Sequence, residues 1–155
     1  MLQGAGIKSV AFVGDSYIRH LLQGFLMWVT GDYERGHMPT SAPSECRGDA
    51  SYGLKSCRLA NTEQRLFGGR LKVGFSYGAK PVVTRAHADA HDFVVWSIGR
   101  HPVDGNYVDR TGINDQRVYN DRIIRPACEQ LSSAQKKKLV WIGGHFRRSF
   151  YARDE

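Results

Sequence analysis

Residues 9–16 read Ser-Val-Ala-Phe-Val-Gly-Asp-Ser, and residues 17–29 continue as Tyr-Ile-Arg-His-Leu-Leu-Gln-Gly-Phe-Leu-Met-Trp-Val. The run 9–13 is short, largely apolar and stopped by Gly14-Asp15-Ser16, as a buried strand is at a sharp end. From Tyr17 the spacing changes. Ile18, Leu21, Leu22, Phe25, Leu26 and Val29 recur at three and four, the stripe of an amphipathic helix. Asp15 or Ser16 is the cap of that helix. A strand that is apolar throughout and turns straight into a helix opens an α/β fold with a parallel sheet covered on both faces.

The rest of the chain repeats the signal. Leu71-Lys-Val-Gly-Phe-Ser-Tyr77 alternates as a strand, and Pro81-Val82-Val83 extends it past a bend. Asp92-Phe-Val-Val-Trp-Ser-Ile98 is the strongest strand and runs into Gly99-Arg100-His101-Pro102. Lys138-Leu-Val-Trp-Ile142 is another, ending at Gly143-Gly144-His145. A helix is expected from Asn114 to Leu131, and residues 31–65, with Pro39 and Pro43, read as loop. No internal repeat is present. The expectation is one domain over residues 1–155, with a three-layer α/β/α arrangement and a mainly parallel sheet. In such sheets the ligand crevice lies beyond the carboxyl ends of the strands. Three strands end in glycine followed by capable side chains, so Ser16, His101 and His145 are expected on one sheet edge.

Composition narrows the function classes. Hydrophobic residues make up 41% and charged residues 24%, which excludes low-complexity and collagen-like chains. The 22 Lys and Arg against 15 Asp and Glu give a net charge of +7. The excess sits mostly in residues 110–155, which carry 10 basic and 5 acidic side chains. No basic run exceeds Lys136-Lys137-Lys138, which reads as a solvated helix face, so nucleic-acid binding ranks last. The stretch Leu21 to Val29 is broken by Gln23 and Gly24 and falls short of a membrane span. Met1-Leu2-Gln3-Gly4 lacks the charged and apolar regions of a signal peptide. Any membrane attachment is therefore expected through segments outside this chain.

Cys46 and Cys57 bracket the polar segment RGDASYGLKS, so they are either a surface-loop disulfide, which implies an oxidising compartment, or two unrelated thiols. Cys128 falls in the expected helix and reads as a core thiol. No Cys-x-x-Cys and no clustered histidines suggest zinc or another metal. His20, His37, His87 and His91 read as surface residues.

A serine at a strand-to-helix turn has two chemical advantages. Its hydroxyl projects from the turn that Gly14 permits, and its own N–H lies at the positive end of a helix, where an oxyanion is stabilised. Against this, Ser16 could serve as a simple N-cap.

Phe12-Val-Gly-Asp-Ser-Tyr-Ile-Arg-His-Leu21 resembles the first block of the SGNH/GDSL esterase superfamily. The likeness is particularly to the branch of the PC-esterases and trichome-birefringence-like polysaccharide O-acetyltransferases, where Gly-Asp-Ser precedes a similar Arg-bearing helix. Residues 92–102 resemble the third block of that branch, and residues 138–145 its next strand. The resemblance implies a flavodoxin-like SGNH sheet and an acyl-enzyme on Ser16, next to Asp15. It implies oxyanion donors at the Ser16 N–H, the Gly78 N–H and a group near Gly99 to His101, and it requires no metal or organic cofactor. The implied partner is an acylated carbohydrate or glycoconjugate, and the implied compartment is the Golgi lumen or secretory pathway. Gly112-Ile-Asn-Asp115 copies the superfamily's Asn-bearing block but lacks a preceding strand, and reads as a turn.

The departure is an absence. The superfamily's Asp-x-x-His block occurs nowhere in this sequence. Either the chain is the N-terminal part of a longer domain, incomplete at its C-terminus, or His145 or His101 serves as the base in a compact variant. The first reading is adopted, and on it this chain alone turns over activated esters poorly. The competing function is a catalytically incomplete domain that binds glycan or a protein partner through the same crevice.

Overall fold

The computed structural model describes residues 6–33, 62–77, 82–97 and 120–142. It is an α/β arrangement around a five-stranded sheet. In chain order the strands are β1 (Ser9–Gly14), β2 (Thr62–Leu66), β3 (Leu71–Tyr77), β4 (Phe93–Trp96) and β5 (Leu139–Trp141). The helices are α1 (Ser16–Thr30), α2 (Arg85–Ala90), α3 (Arg125–Glu129) and α4 (Ser133–Lys136), with a π-helical turn at Asn120–Ile124 leading into α3. In space the strands run β2-β3-β1-β4-β5. β1 lies parallel to both β3 and β4, and β5 lies parallel to β4.

All four strands read from the sequence are thus present in one mainly parallel sheet. Alternation along them builds two cores. Val10 and Phe12 of β1 join Leu71, Val73 and Phe75 of β3 against Ile18, Leu22 and Leu26 of α1. Ala11 and Val13 point the other way and join Val94, Trp96, Val83, Ala127 and Leu131. Ile18 and Leu26 have no exposed surface. Burying an aliphatic side chain of this kind contributes about 1.5–3 kcal/mol, so the α1 stripe is a principal source of stability. Cys128 is half-buried against the second core, as its helical position suggested.

The fifth strand is a correction. Residues 62–65 fall in the stretch expected to be loop, yet with Leu66 they pair antiparallel with β3. Thr-Glu-Gln-Arg-Leu has little apolar signal because it forms a sheet edge, where charged side chains are usual. Glu63 pairs with Lys72 at 2.9 Å and with Arg65 at 3.2 Å. The overlooked clue was the turn: Gly68 and Gly69 both have positive φ, and Phe67 shares that conformation at 54°. Two glycines between short runs are a hairpin signal.

Two further expectations change. Val82 and Val83 do not extend β3; Val83 drops into the second core and the chain enters α2. The helix expected over 114–131 is described only from Asn120, and α3 stops at Glu129. Pro126 has no N–H to complete an α-type bond toward residue 122, and the turn before it is of the wider π type. Lys136 and Lys137 are exposed as expected, but Lys138 is not merely solvated. Its ammonium donates to the carbonyls of Ala88 at 2.7 Å and His91 at 3.1 Å, closing the C-terminal end of α2.

At the sheet's amino edge one carboxylate aligns β1 with β4. Asp92 Oδ2 accepts from the Lys8 N–H at 2.8 Å, the Ser9 N–H at 2.9 Å and the Ser9 hydroxyl at 3.1 Å. The bond from Lys8, followed by those from Ser9, holds the carboxyl below the usual aspartate range. A depressed carboxylate contributes stability above its unfolded pKa of about 4, and that contribution is lost as pH falls through the folded value. Asp92→Asn should therefore destabilise the fold by about 1 kcal/mol at neutral pH, a value kept small because the group is exposed. Denaturant melts should show the wild-type advantage disappearing below about pH 4; a constant difference across that range would refute the charge-based account.

Candidate active site

The order β3-β1-β4 places β1 where the chain's course across the sheet reverses. After β1 the next strands, β2 and β3, lie on one side, and after β3 the chain crosses to β4 on the other. Crevices for ligands form beyond the carboxyl ends of parallel strands at such a reversal. Gly14, Asp15 and Ser16 are the residues that leave β1 at this point.

Gly14 is required there for space. A Cβ at this position would overlap the side chain of Ile18 and lie 2.7 Å from the Ser97 carbonyl oxygen. The expectation that Gly14 permits a tight turn is corrected in its cause: its φ is not positive, and what it permits is close approach. The Ser97 N–H in turn donates to the Val13 carbonyl at 3.2 Å, continuing the β1–β4 ladder one step past β4.

Asp15, not Ser16, caps α1. Its backbone is extended and its Oδ1 accepts from the Tyr17 N–H at 2.9 Å, while its carbonyl accepts from the Arg19 N–H at 3.1 Å. Asp15 is only 1% exposed. Ser16 is the first residue of the helix itself. The capping role that competed with a chemical role for Ser16 therefore belongs to its neighbour.

Sequence reasoning passed over the buried polar residues of α1 and β4. Arg19 and Gln23 are buried on α1, and Ser97 is wholly buried at the end of β4. Arg19 stands one turn after Asp15 on the same side of the helix, and an anion at the helix start would meet the positive helix end. Burial first, and then the Arg19 charge, lowers the His20 pKa below the ordinary histidine value. His20, His87 and His91 are half-buried, which corrects their reading as surface residues. The signal available was their position: each stands in or beside a helix that packs on the sheet.

The other strand ends are level with this corner. Gly14 pairs with Tyr77, Val13 with Trp96, and Trp96 with Trp141. Trp96 and Trp141 meet edge to face with ring centroids 5.0 Å apart. They line a cavity of about 290 Å³ together with Ile124, Arg125, Cys128 and Leu139. It opens on the face opposite α1. Gly78, Gly99, His101 and His145 lie outside the described residues, as do Asn114, Cys46 and Cys57. The structure thus brings together the strand ends after which Gly78, Gly99 with His101, and His145 follow in sequence, and Ser16 with Asp15 at the central one. Among the described residues no group of three or more His, Cys, Asp or Glu could hold a metal ion, and no helix is long and apolar enough to cross a membrane.

Gly14→Ala tests the corner directly. The added methyl must displace either Ile18 or the backbone at Ser97, and overpacking of this kind typically costs about 1–3 kcal/mol. Gly24, around which a Cβ would meet nothing within 4 Å, is the control. Gly24→Ala should be neutral or slightly stabilising in the helix. Equal melting behaviour of the two variants would remove the steric role assigned to Gly14.

Comparison with protein-family models, with curated proteins and with solved structures returned no match.

Proposed function

We propose that this chain is a serine-dependent ester hydrolase or O-acyltransferase of the SGNH type, acting through an acyl-Ser16 intermediate on an acylated carbohydrate or glycoconjugate. One observation carries the reading: Ser16 is the first residue of α1 at the central strand end of the sheet, with the N-cap filled by Asp15. A hydroxyl there would attack an ester carbonyl while the helix start stabilises the oxyanion that develops. The alcohol leaves with a proton, and water or a sugar hydroxyl then takes the acyl group from serine.

Further features support the same reading. The parallel strands run second-first-third-fourth across the sheet, the order of a flavodoxin-like core. Apolar clusters on both sheet faces, one against α1 and one including α3, suit a three-layer SGNH domain. Trp141, exposed at the end of β5, offers an aromatic surface for the apolar face of a sugar ring. The superfamily resemblance of residues 12–21 extends the proposal to the secretory pathway or Golgi lumen. The base that takes the serine proton in acylation also serves deacylation, and the sequence has no Asp-x-x-His block, so both steps are expected to be slow in this chain alone.

The test is acetylation by p-nitrophenyl acetate, read as p-nitrophenol release and as the intact mass of the chain with the modified peptide mapped. Wild type should turn over the ester poorly and, on long incubation, acquire one acetyl group on Ser16. Ser16→Ala should lose it entirely, with any residual release independent of position 16. Equal acetylation of both proteins would overturn the proposal. Glycan binding without acylation would favour the catalytically incomplete binding domain.

A further inference from the structure

The common capping box places Ser or Thr at the N-cap and Glu or Gln three residues on, where that side chain accepts the N-cap N–H. Here the N-cap of α2 is Thr84 and the third helical residue is His87. The Thr84 N–H donates to His87 Nδ1 at 3.1 Å, and the Thr84 hydroxyl lies 3.0 Å from the same nitrogen. A backbone N–H can only donate. Nδ1 must therefore present its lone pair, which assigns the proton of the neutral ring to Nε2.

We propose that His87 makes this a titratable capping box, so that mild acid releases the N-terminus of α2 and loosens what α2 holds. A proton on Nδ1 removes the lone pair that the Thr84 N–H uses. It also puts a positive charge in the first turn of a helix, where cations are disfavoured. Burial, and then the nearby His91, lower the His87 pKa below the ordinary histidine value. A ring that is a weaker base when folded contributes stability that is complete above about pH 6.5 and lost as pH falls through the folded pKa.

The neighbouring charges are engaged elsewhere. Arg85 Nε donates to the Gln130 carbonyl at 2.7 Å, and Asp89 Oδ1 accepts from Gln135 Nε2 at 2.7 Å. Lys138, from the link between α4 and β5, closes the other end of α2, and Asp92 at the entrance to β4 is held by the amides at the start of β1. Lys136 and Lys137 of the α4 end are exposed. His91, whose Nδ1 lies 3.1 Å from the His87 carbonyl, is the titratable neighbour acting on the ring. Only six residues long, α2 has little helical stability of its own to survive loss of a cap. It buries Ala88 fully and supplies acceptors for Lys138, whose own carbonyl accepts from the Val94 N–H of β4. Uncapping therefore reaches the β4–β5 side of the sheet.

The experiment is site-resolved amide exchange on the whole chain at about pH 7.5 and about pH 5.5, corrected for intrinsic exchange, with ring ¹⁵N shifts to follow His87. The reporter is the Ala88 amide, which bonds to the Thr84 carbonyl at 3.3 Å. β1 core amides serve as the reference for global unfolding. In wild type the Ala88 protection should fall about three- to tenfold on acidification, the loss expected of an N-cap. His87→Gln keeps an acceptor that does not titrate, so its protection should be high at both pH values. His87→Ala should be low at both. Protonation of the wild-type ring with no change at Ala88 would overturn the proposal, as would an undiminished acid response in His87→Gln.

Discussion

The constraint on which this structure depends is the approach of three chain segments at the end of β1, where Gly14 has no side chain. Ile18 from the first turn of α1 and the carbonyl of Ser97 both occupy the volume a Cβ would need. Because they can close in, α1 starts immediately beyond the strand and lies down along one face of the sheet. Asp15 then has one geometry available, an extended residue whose carboxylate meets the Tyr17 N–H. Ser16 becomes the first helical residue as a consequence.

From that corner the two cores follow by alternation. Val10 and Phe12 go to the α1 side, while Ala11 and Val13 go to the side of α2 and α3. The small side chain of Ala11 suits its setting, since it sits level with Gly74, above which His91 places its ring. The second face is held by polar ties as well as by apolar packing. Lys138, Arg85 and Gln135 each reach across sequence to fasten α2 to the segment that ends in β5.

Legibility followed apolar content. β1, β3, β4 and β5 are apolar runs and could be read directly, as could the stripe of α1. β2 could not, because a sheet edge places no demand for apolar residues on Thr62–Leu66; only the glycine pair in its turn marked it. α2 was hidden by its length and by Val82-Val83, whose β-branched character reads as strand while Val83 in fact serves the core. In the candidate site, Asp15 and Ser16 were legible as a pair, but their division of labour was not. Capping by either residue satisfies the same helix, and a hydrogen bond rather than a residue type decides between them.

What the amino-acid sequence determined by itself was the period of the apolar elements: strands at 9–13, 71–77, 92–98 and 138–142, and a helix that starts without delay after the first. Those properties are local, set by side-chain spacing and by the residues that interrupt it. The order of strands was decided only in three dimensions. Nothing in the run 71–77 or 92–98 states which side of β1 it takes, because both runs offer similar apolar faces to similar neighbours. Packing α1 on one face and α2 with α3 on the other separates them, and that separation makes the end of β1 the point of reversal. The burial of Arg19, Gln23 and Ser97 belongs to the same tertiary decision, since each is polar in sequence and enclosed only when the strands and helices meet.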